Sequence, residues 1–397
     1  MPGFIGFFGS RADGARRVSQ SPPRFATGAA IASGGSQPEK AMKNGEIWQL
    51  ADARGVGGIE RHVVELVDAL GAHGLASRAV VYAPYRPSEY LDLLEASGTP
   101  RLELAGSAGS LLRALAAHRP ALLHTHGYKA GIVGRLCARL VSVPVVSTFH
   151  AGERAPWPVG LYQSIDAATA GLGQRISVSA PIAARLPWRS QVVGNFVAPS
   201  REAVAVLPRR VAFVGRLSAE KAPDLFCEIA RRVGPGVQWD IYGDGPMRTA
   251  LELVAPSFVR FHGFAADMNR AWPEIGLLLM PSLAEGLPMA ALEAMARGIP
   301  VAASAVGALP DLLAPVDGDW TFPVGDIDAA VRAVEAWRRL DGAPLEQLRG
   351  ELVDVVCRNH SPAAVLPRIL SVYRAAGFQA VGSSSRIVQS SASSGAG

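Results

Sequence analysis

Between residue 47 and about residue 376, short apolar runs alternate with stretches in which apolar residues recur every three to four positions. An uninterrupted run of four or five suits a strand buried on both faces, and the longer spacing suits a helix with one buried stripe. Ile47–Ala51 reads as the first strand. Residues Ile59, Val63, Leu66, Val67 and Leu70 then predict a helix that His73-Gly74 ends. Strands follow at 78–83, 121–125, 143–148, 175–178 and 191–193, with helices over 111–117, 128–141, 161–170 and 182–186. An irregular stretch, 195–208, contains two prolines and marks a boundary. Beyond it the alternation restarts, with strands at 211–214, 237–242, 259–262, Leu277–Met280, from Val301, and near 320–322. Helices are expected over 223–233, 247–254, 288–296, 327–340, 345–358 and 362–376, with a further short element at 309–313. This rhythm predicts α/β architecture: two doubly wound parallel-sheet domains facing a cleft. Ligands bind at the carboxyl ends of the strands in such sheets, so the loops that follow strands are the places to look for chemistry.

Composition changes this picture mainly at the ends. The 397 residues suffice for two domains and tails. Residues 1–44 and 381–397 are rich in small and polar residues without a period, and are expected to be disordered tails. A second reading starts the native chain at Met42. The formal charge of +5 and the pI near 9.3 fit an anionic ligand or an anionic membrane surface. No basic patch with interleaved aromatics is present, which argues against nucleic acid. Cys137, Cys227 and Cys357 are scattered, odd in number and without metal spacing, which suits free thiols in a reducing compartment. No apolar run reaches about 18 residues, and the apolar 4–8 segment is too short for a signal core and precedes its arginines. The expected location is cytoplasmic, with the inner face of the membrane as an option.

The most informative stretch is 280–301. It reads as strand end, loop, helix with Pro288 in its first turn, a stop at Gly298, and the next strand at Val301. Glu285 and Glu293 lie eight residues apart, one before the helix and one inside it. A helix start beside a glycine favours an anion, and flanking carboxylates bind hydroxyls, so a phosphorylated, hydroxyl-rich ligand is expected. Gly215-Arg216-Leu-Ser-Ala-Glu-Lys221 follows the first strand of the second domain, where two cations five residues apart can clamp a diphosphate. The competing reading is a solvated loop with an Arg216–Glu220 pair worth about 0–1 kcal/mol. Gly57-Gly58 lets a phosphate approach a helix start, or makes only a tight turn. The third glycine of a dinucleotide fingerprint is missing, which disfavours a dinucleotide oxidoreductase.

Gly243-Asp244-Gly245-Pro246 reads as a turn and cap. His262-Gly263-Phe264 ends a strand at the same sheet edge, where backbone could meet a flat base. His124, His126 and His150 cluster at two strand ends, and suit a polar cleft lining for a sugar or phosphate first, buried and satisfied imidazoles second, and a metal site least. Glu153, just beyond, is a candidate for an acceptor hydroxyl. Asp317/Asp319 and Asp326/Asp328 fall in Gly- or Pro-containing turns and are read as turn and cap residues, not metal ligands. No nucleophile elbow is present.

Together these pieces resemble the retaining, nucleotide-sugar-dependent glycosyltransferases of the GT-B fold, family 4 (group 1 type), over residues of about 47–375. Glu285-Gly-Leu-Pro-Met-Ala-Ala-Leu-Glu293 looks like that family's E-x7-E motif, and Gly215-Arg216…Lys221 is similar to its diphosphate clamp. Gly57-Gly58-Ile-Glu60, Gly243-Asp-Gly-Pro246 and the His150 strand end match more weakly. Asn195-Phe196-Val197 departs from the family's common Asn-Gly hinge. The resemblance implies two Rossmann-like domains: an acceptor-side domain at 45–195, a linker at 196–208 and a nucleotide-sugar domain at 209–360. A helix at 361–380 follows, with crossing back to the first domain as an option.

The resemblance also implies roles. Arg216 and Lys221 would hold the donor diphosphate together with Gly215. Glu285, Gly286 and Leu287 would contact the sugar, Glu293 the ribose, and Gly263 the base. Gly57 and Gly58 would face the diphosphate from the other domain. His150 would lie near the transferred sugar, and His126 and Glu153 near the acceptor. The implied activity moves a hexose-type sugar to a cell-envelope or exopolysaccharide acceptor, free or lipid-linked, with retention and without a metal or other cofactor. Peripheral membrane contact goes with it. A same-fold epimerase or phosphorylase and a non-catalytic nucleotide-sugar binder are the alternatives.

Overall fold

The computed structural model describes residues 45–53, 55–150, 157–199, 208–265 and 267–379. The first half runs β1 (Ile47–Ala51), α1 (Gly58–Ala72), β2 (Ser77–Val81), α2 (Glu89–Ala96), β3 (Arg101–Glu103), α3 (Ala108–His118), β4 (Leu122–His126), α4 (Tyr128–Val141), β5 (Val145–Phe149), α5 (Val159–Thr169), β6 (Gln174–Ser177), α6 (Ala180–Arg185) and β7 (Gln191–Val192). The second runs β8 (Arg210–Val214), α7 (Pro223–Val233), β9 (Gln238–Tyr242), α8 (Arg248–Val254), β10 (Val259–Gly263), β11 (Leu277–Met280), α9 (Met289–Met295), β12 (Val301–Ser304), α10 (Leu309–Leu313), β13 (Thr321–Phe322), α11 (Ile327–Arg339), α12 (Gly342–Asn359) and α13 (Pro362–Ala375).

The strands form two parallel sheets, ordered β3-β2-β1-β4-β5-β6-β7 and β10-β9-β8-β11-β12-β13. In each sheet the sequence order reverses once, between β1 and β4 and between β8 and β11. Such a reversal splays the flanking loops apart and opens a crevice at the strand ends. The central strands of both sheets are buried on both faces: β1, β4 and β12 are buried throughout, as strands covered by helices on both sides must be.

Two predicted strands are displaced for local reasons. The strand expected at 78–83 is Ser77–Val81, because Tyr82 and Ala83 continue the apolar run beyond the ladder. The strand expected at 143–148 is Val145–Phe149, since Pro144 lacks the N–H to extend it. α2 and β3 were not anticipated at all. The expected tails, most of the 196–208 linker, and Glu153 lie outside the described residues.

α13 leaves the second half and packs on the first sheet. Val365, Leu366, Ile369, Val372 and Tyr373 share a core with Ile47, Leu66, Leu122 and Ile176. The crossing is pinned by Val197 N–H to His360 O (3.0 Å) and by Arg368 to Val192 O (2.6 Å).

α5 is inverted. Its one buried residue is Asp166, held by the fully buried Arg135 of α4 at 2.6 Å, while Leu161, Tyr162 and Ile165 face outward. Ten of the fourteen exposed large apolar side chains among the described residues fall within 128–192, so this side of the molecule carries an apolar face and not scattered exceptions. No helix among the described residues is long and apolar enough to cross a membrane.

Candidate active site

The second sheet's reversal point brings together the loop after β8 and the loop after β11. Lys221 lies in a 3₁₀ turn, Ala219–Lys221, and its Nζ meets Glu285 Oε2 at 2.6 Å. Ser282 donates its hydroxyl to the other carboxylate oxygen at 2.8 Å. Glu285 is 5% exposed, so the ion pair and the hydroxyl are what make its burial tolerable. Leu283 N–H bonds Glu220 O at 2.8 Å and ties the two loops together. Arg216, four residues ahead of Glu220, stands exposed at the same edge.

The ends of β8, β9 and β10 close up through glycines. Gly243 N–H donates to Gly263 O (2.8 Å) and Gly215 N–H to Tyr242 O (3.0 Å). A side chain at Gly243, whose φ is +145°, would run into the Gly215 carbonyl. His262 stacks on Tyr242 with centroids 4.3 Å apart and bonds the buried Asp240.

The first sheet presents its own reversal point opposite. Gly57 and Gly58 open α1, and Glu60 Oε2 accepts the Gly57 N–H at 2.7 Å. Burial pushes the Glu60 carboxyl up, against hydrogen bonds to backbone N–H groups and the positive charge of Arg216, which pull it down. Arg216 of the second half thus lies within electrostatic reach of Glu60 in the glycine loop. Gly286 approaches so closely that a β-carbon there would strike the His150 carbonyl oxygen. Leu287 O accepts from the buried Asn195 Nδ2 at 2.7 Å, so the Asn of the unusual hinge anchors the Glu285 loop.

Glu293 sits half-buried on α9, apart from this group. Trp272 Nε1 donates to its Oε2 at 3.1 Å, and Arg297 lies over the Trp272 ring. Glu65 of α1 is pushed up to about 7, first by burial and further by the Glu293 charge, while the Ala198 N–H and Arg297 pull it down.

Beneath the glycine loop lies a set of imidazoles, His62, His124 and His126 buried and His150 half-buried. His126 Nδ1 is 3.1 Å from His150 Nε2, and His126 Nε2 is 3.0 Å from Gln49 Oε1. His124 bonds Tyr373 Oη (2.8 Å) and Thr148 Oγ1 (2.7 Å). Burial holds His124, His126 and His150 well below the ordinary histidine value, with neighbouring imidazoles adding to the effect, and lowers His62 to about 4. Among the described residues His62, His126 and His150 are the one group with metal-ligand spacing, their nitrogens lying within 4.8 Å of one another. In the geometry present, both nitrogens of His126 are engaged with Gln49 and His150. At the mouth of the same sheet, Lys129 pairs with Asp52 at 2.9 Å and donates to the Tyr85 hydroxyl oxygen at 3.1 Å.

The structure thus gathers Arg216, Lys221, Gly215, Glu285, Gly286 and Leu287 at one reversal point, and Gly57, Gly58, His126 and His150 at the other. Gly263 and Glu293 lie to one side. Asp326 caps α11 through Ala329 N–H and Asp328 pairs with Arg232, as cap and surface residues do. Sequence reasoning passed over Gln49, His62, Ser282 and Tyr373. Gln49 was legible as the one polar residue in an apolar strand, and His62 as a polar residue on an apolar helical stripe.

Comparison with known proteins agrees with this geometry. Residues 56–211 match the family model described as Glycosyltransferase Family 4, and residues 208–338 the one described as Glycosyl transferases group 1. A D-inositol 3-phosphate glycosyltransferase of Mycobacterium marinum is 31% identical over 283 residues, 60% of this chain and 59% of that protein. Its counterpart from Mycobacterium tuberculosis is 32% identical over 291 residues, 60% and 57% respectively. The aligned region thus spans somewhat under two thirds of these relatives. Among solved structures, Anabaena Alr3699/HepE in complex with UDP-glucose superposes with a TM-score of 0.70 over 84% of this chain and 100% of that one, at 16% identity. Sucrose-phosphate synthase from Thermosynechococcus elongatus gives 0.68 over 84% and 99%, at 19% identity. With both halves matched in sequence and the two-sheet architecture matched in space, the chain belongs to the family 4, group 1 glycosyltransferases, and its fold is GT-B.

Proposed function

We propose that the protein transfers a sugar from a nucleoside-diphosphate sugar to a cell-envelope or exopolysaccharide acceptor, with retention and without a metal. One observation carries the reading: Arg216 and the Lys221–Glu285 pair stand at the reversal point of one sheet, facing the Gly57–Glu60 turn at the reversal point of the other. Breaking the sugar C1–O bond puts negative charge on the departing diphosphate and positive charge on the ring. Arg216 and Lys221 stabilise the first, which is the task a metal performs elsewhere. Lys221 meets the diphosphate by sharing its contact with Glu285, whose carboxylate turns to the sugar hydroxyls. The acceptor oxygen bonds C1 on the face the leaving group vacates, and its proton passes to the departing phosphate oxygen. Glu293 reads the ribose.

The apolar face around α5 supports a lipid-linked acceptor and contact with an anionic bilayer. Between residues 128 and 192 the chain has seven Lys or Arg and two acidic residues, one of them the buried Asp166. Exposed Trp157 and Trp188 suit the bilayer interface. A phosphorylated polyol is the second acceptor class, favoured by the Mycobacterium relatives and by Lys129 at the start of α4.

A nucleotide-sugar panel read by thermal shift, followed by product analysis with acceptors, tests the function. Turnover without acceptor points to an epimerase, a need for free phosphate to a phosphorylase, and donor binding without turnover to a binder. Loss of transfer in EDTA would overturn metal independence.

A further inference from the structure

The imidazole cluster holds more information than proximity, because its hydrogen bonds fix which nitrogens carry protons. The Ser77 hydroxyl donates to Ile47 O at 3.0 Å, so its oxygen accepts from Gln49 Nε2 at 3.4 Å. The Tyr373 hydroxyl oxygen also receives Gln49 Nε2, at 3.4 Å, and lies 2.8 Å from His124 Nδ1. Both contacts place the Gln49 amide nitrogen away from His126 and its carbonyl oxygen toward it. His126 Nε2 must then carry the proton that meets Gln49 Oε1. A neutral imidazole has one N–H, so His126 Nδ1 is a lone pair, and the proton in the 3.1 Å contact belongs to His150 Nε2. His150 is left with its lone pair on Nδ1.

From this chain of contacts we infer that Gln49 and His126 are positioning residues that fix His150 as its Nε2–H tautomer, so that the ring offers the donor sugar a hydrogen-bond acceptor at Nδ1. The inference rests on the transferase reading for its consequence but not for the tautomer itself. Burial keeps all three imidazoles neutral, which preserves the single-proton logic. Tyr373 extends the chain to α13, so a residue 324 positions away in sequence steadies Gln49. His150 Nδ1 can accept a sugar hydroxyl's proton only in this tautomer; with the proton on Nδ1 that atom would donate instead, and would repel the hydroxyl proton it now attracts.

The test is long-range ¹H–¹⁵N correlation on ¹⁵N-histidine-labelled full-length protein, combined with kinetics. The expected wild-type spectrum shows His126 and His150 both protonated on Nε2. In Gln49→Met, His126 should populate both tautomers, His150 should follow, and kcat should fall about tenfold with the donor KM held within about twofold. His126→Asn keeps an acceptor oxygen where Nδ1 stood and should retain the His150 tautomer and most of kcat. His126→Leu should lose both. A purely structural role would move the melting temperature of both His126 variants without separating them in tautomer. A wild-type His150 protonated on Nδ1, or a His126→Leu variant with unchanged kcat and tautomer, overturns the inference. If Gln49→Met or His126→Leu fails to fold, the wild-type spectrum decides alone. If no donor and acceptor pair turns over, the transferase reading falls while the spectrum still judges the tautomer.

Discussion

Lys221 Nζ and Glu285 Oε2 lie 2.6 Å apart, although 64 residues separate them and each begins on the loop of a different strand. The pair makes the candidate diphosphate site nearly self-neutralised before a ligand arrives. Lys221→Ala should therefore do two things. It should lower kcat about 10²-fold, as loss of one charge stabiliser does, and it should leave a buried carboxylate unpaired, costing on the order of 3 kcal/mol. The double variant Lys221→Ala/Glu285→Ala should recover much of that stability in urea denaturation while transfer stays low. Full activity in Lys221→Ala or in Arg216→Ala would refute the clamp.

Gly286 is where the second domain touches the His150 carbonyl. Gly286→Ala places a methyl group in that contact, so the loop must retreat or the domains must part. The expected result is a fall in kcat/KM of at least about tenfold, from misplacement of the sugar contacts, with a melting temperature close to wild type. Unchanged kcat/KM would show that the close approach does not serve the reaction.

Acid should destabilise the protein. In the unfolded chain the four imidazoles of the cluster protonate near 6.5, whereas folding lowers His62 to about 4 and His124, His126 and His150 well below their ordinary value. Their share of stability is complete above the unfolded value and is lost as pH falls through the folded values. For His62 alone that is about 3 kcal/mol. Glu65, raised to about 7, Asp166, raised to about 6, and Glu60 and Asp68, also raised by burial, act oppositely: their share is complete below the ordinary carboxyl values and is lost as pH rises through the raised ones. Four imidazoles held far below their ordinary value, with His360 lowered as well, outweigh the four raised carboxyls between pH 6.5 and 4, so urea midpoints should fall across that window. His62→Asn should shallow the slope. A flat profile would contradict burial of the cluster.

The apolar face gives a separable prediction. Wild-type protein should float with anionic liposomes at low salt and less at physiological salt. Leu140→Glu or Ile165→Glu should abolish flotation while leaving the melting temperature nearly unchanged, because Leu140 is 73% and Ile165 38% exposed. Retention of flotation in both variants would move the contact elsewhere, and concentration-dependent dimerisation without flotation would assign the face to a second copy of the chain.

Much of this was readable from the chain because parallel strands and their helices are locally coded. Runs such as Leu277–Met280, and the Pro288 and Gly298 signals around α9, need no distant information. The edge strand β3 escaped because it is three residues long and its first residue is exposed. α2 escaped because Tyr90, Leu91 and Leu94 give it too short a stripe to stand out. The glutamates were legible as a pair, but the Lys221 partner of Glu285 is a tertiary fact. So is Tyr373, which no spacing near Gln49 encodes. The inverted helix α5 was legible as a helix and not as inverted, since its apolar residues look the same whether they face a core or the surroundings.

The return of α13 to the first sheet bears on how the protein is made. Ile47 and Leu66 leave the ribosome some 300 residues before the Val365–Tyr373 segment that completes their core. The second sheet, between 210 and 322, can assemble from a contiguous stretch, whereas the first must wait for the last helix. During synthesis the first-sheet surface that α13 covers stands bare, and a ribosome stalled before residue 362 would release a chain with that core open.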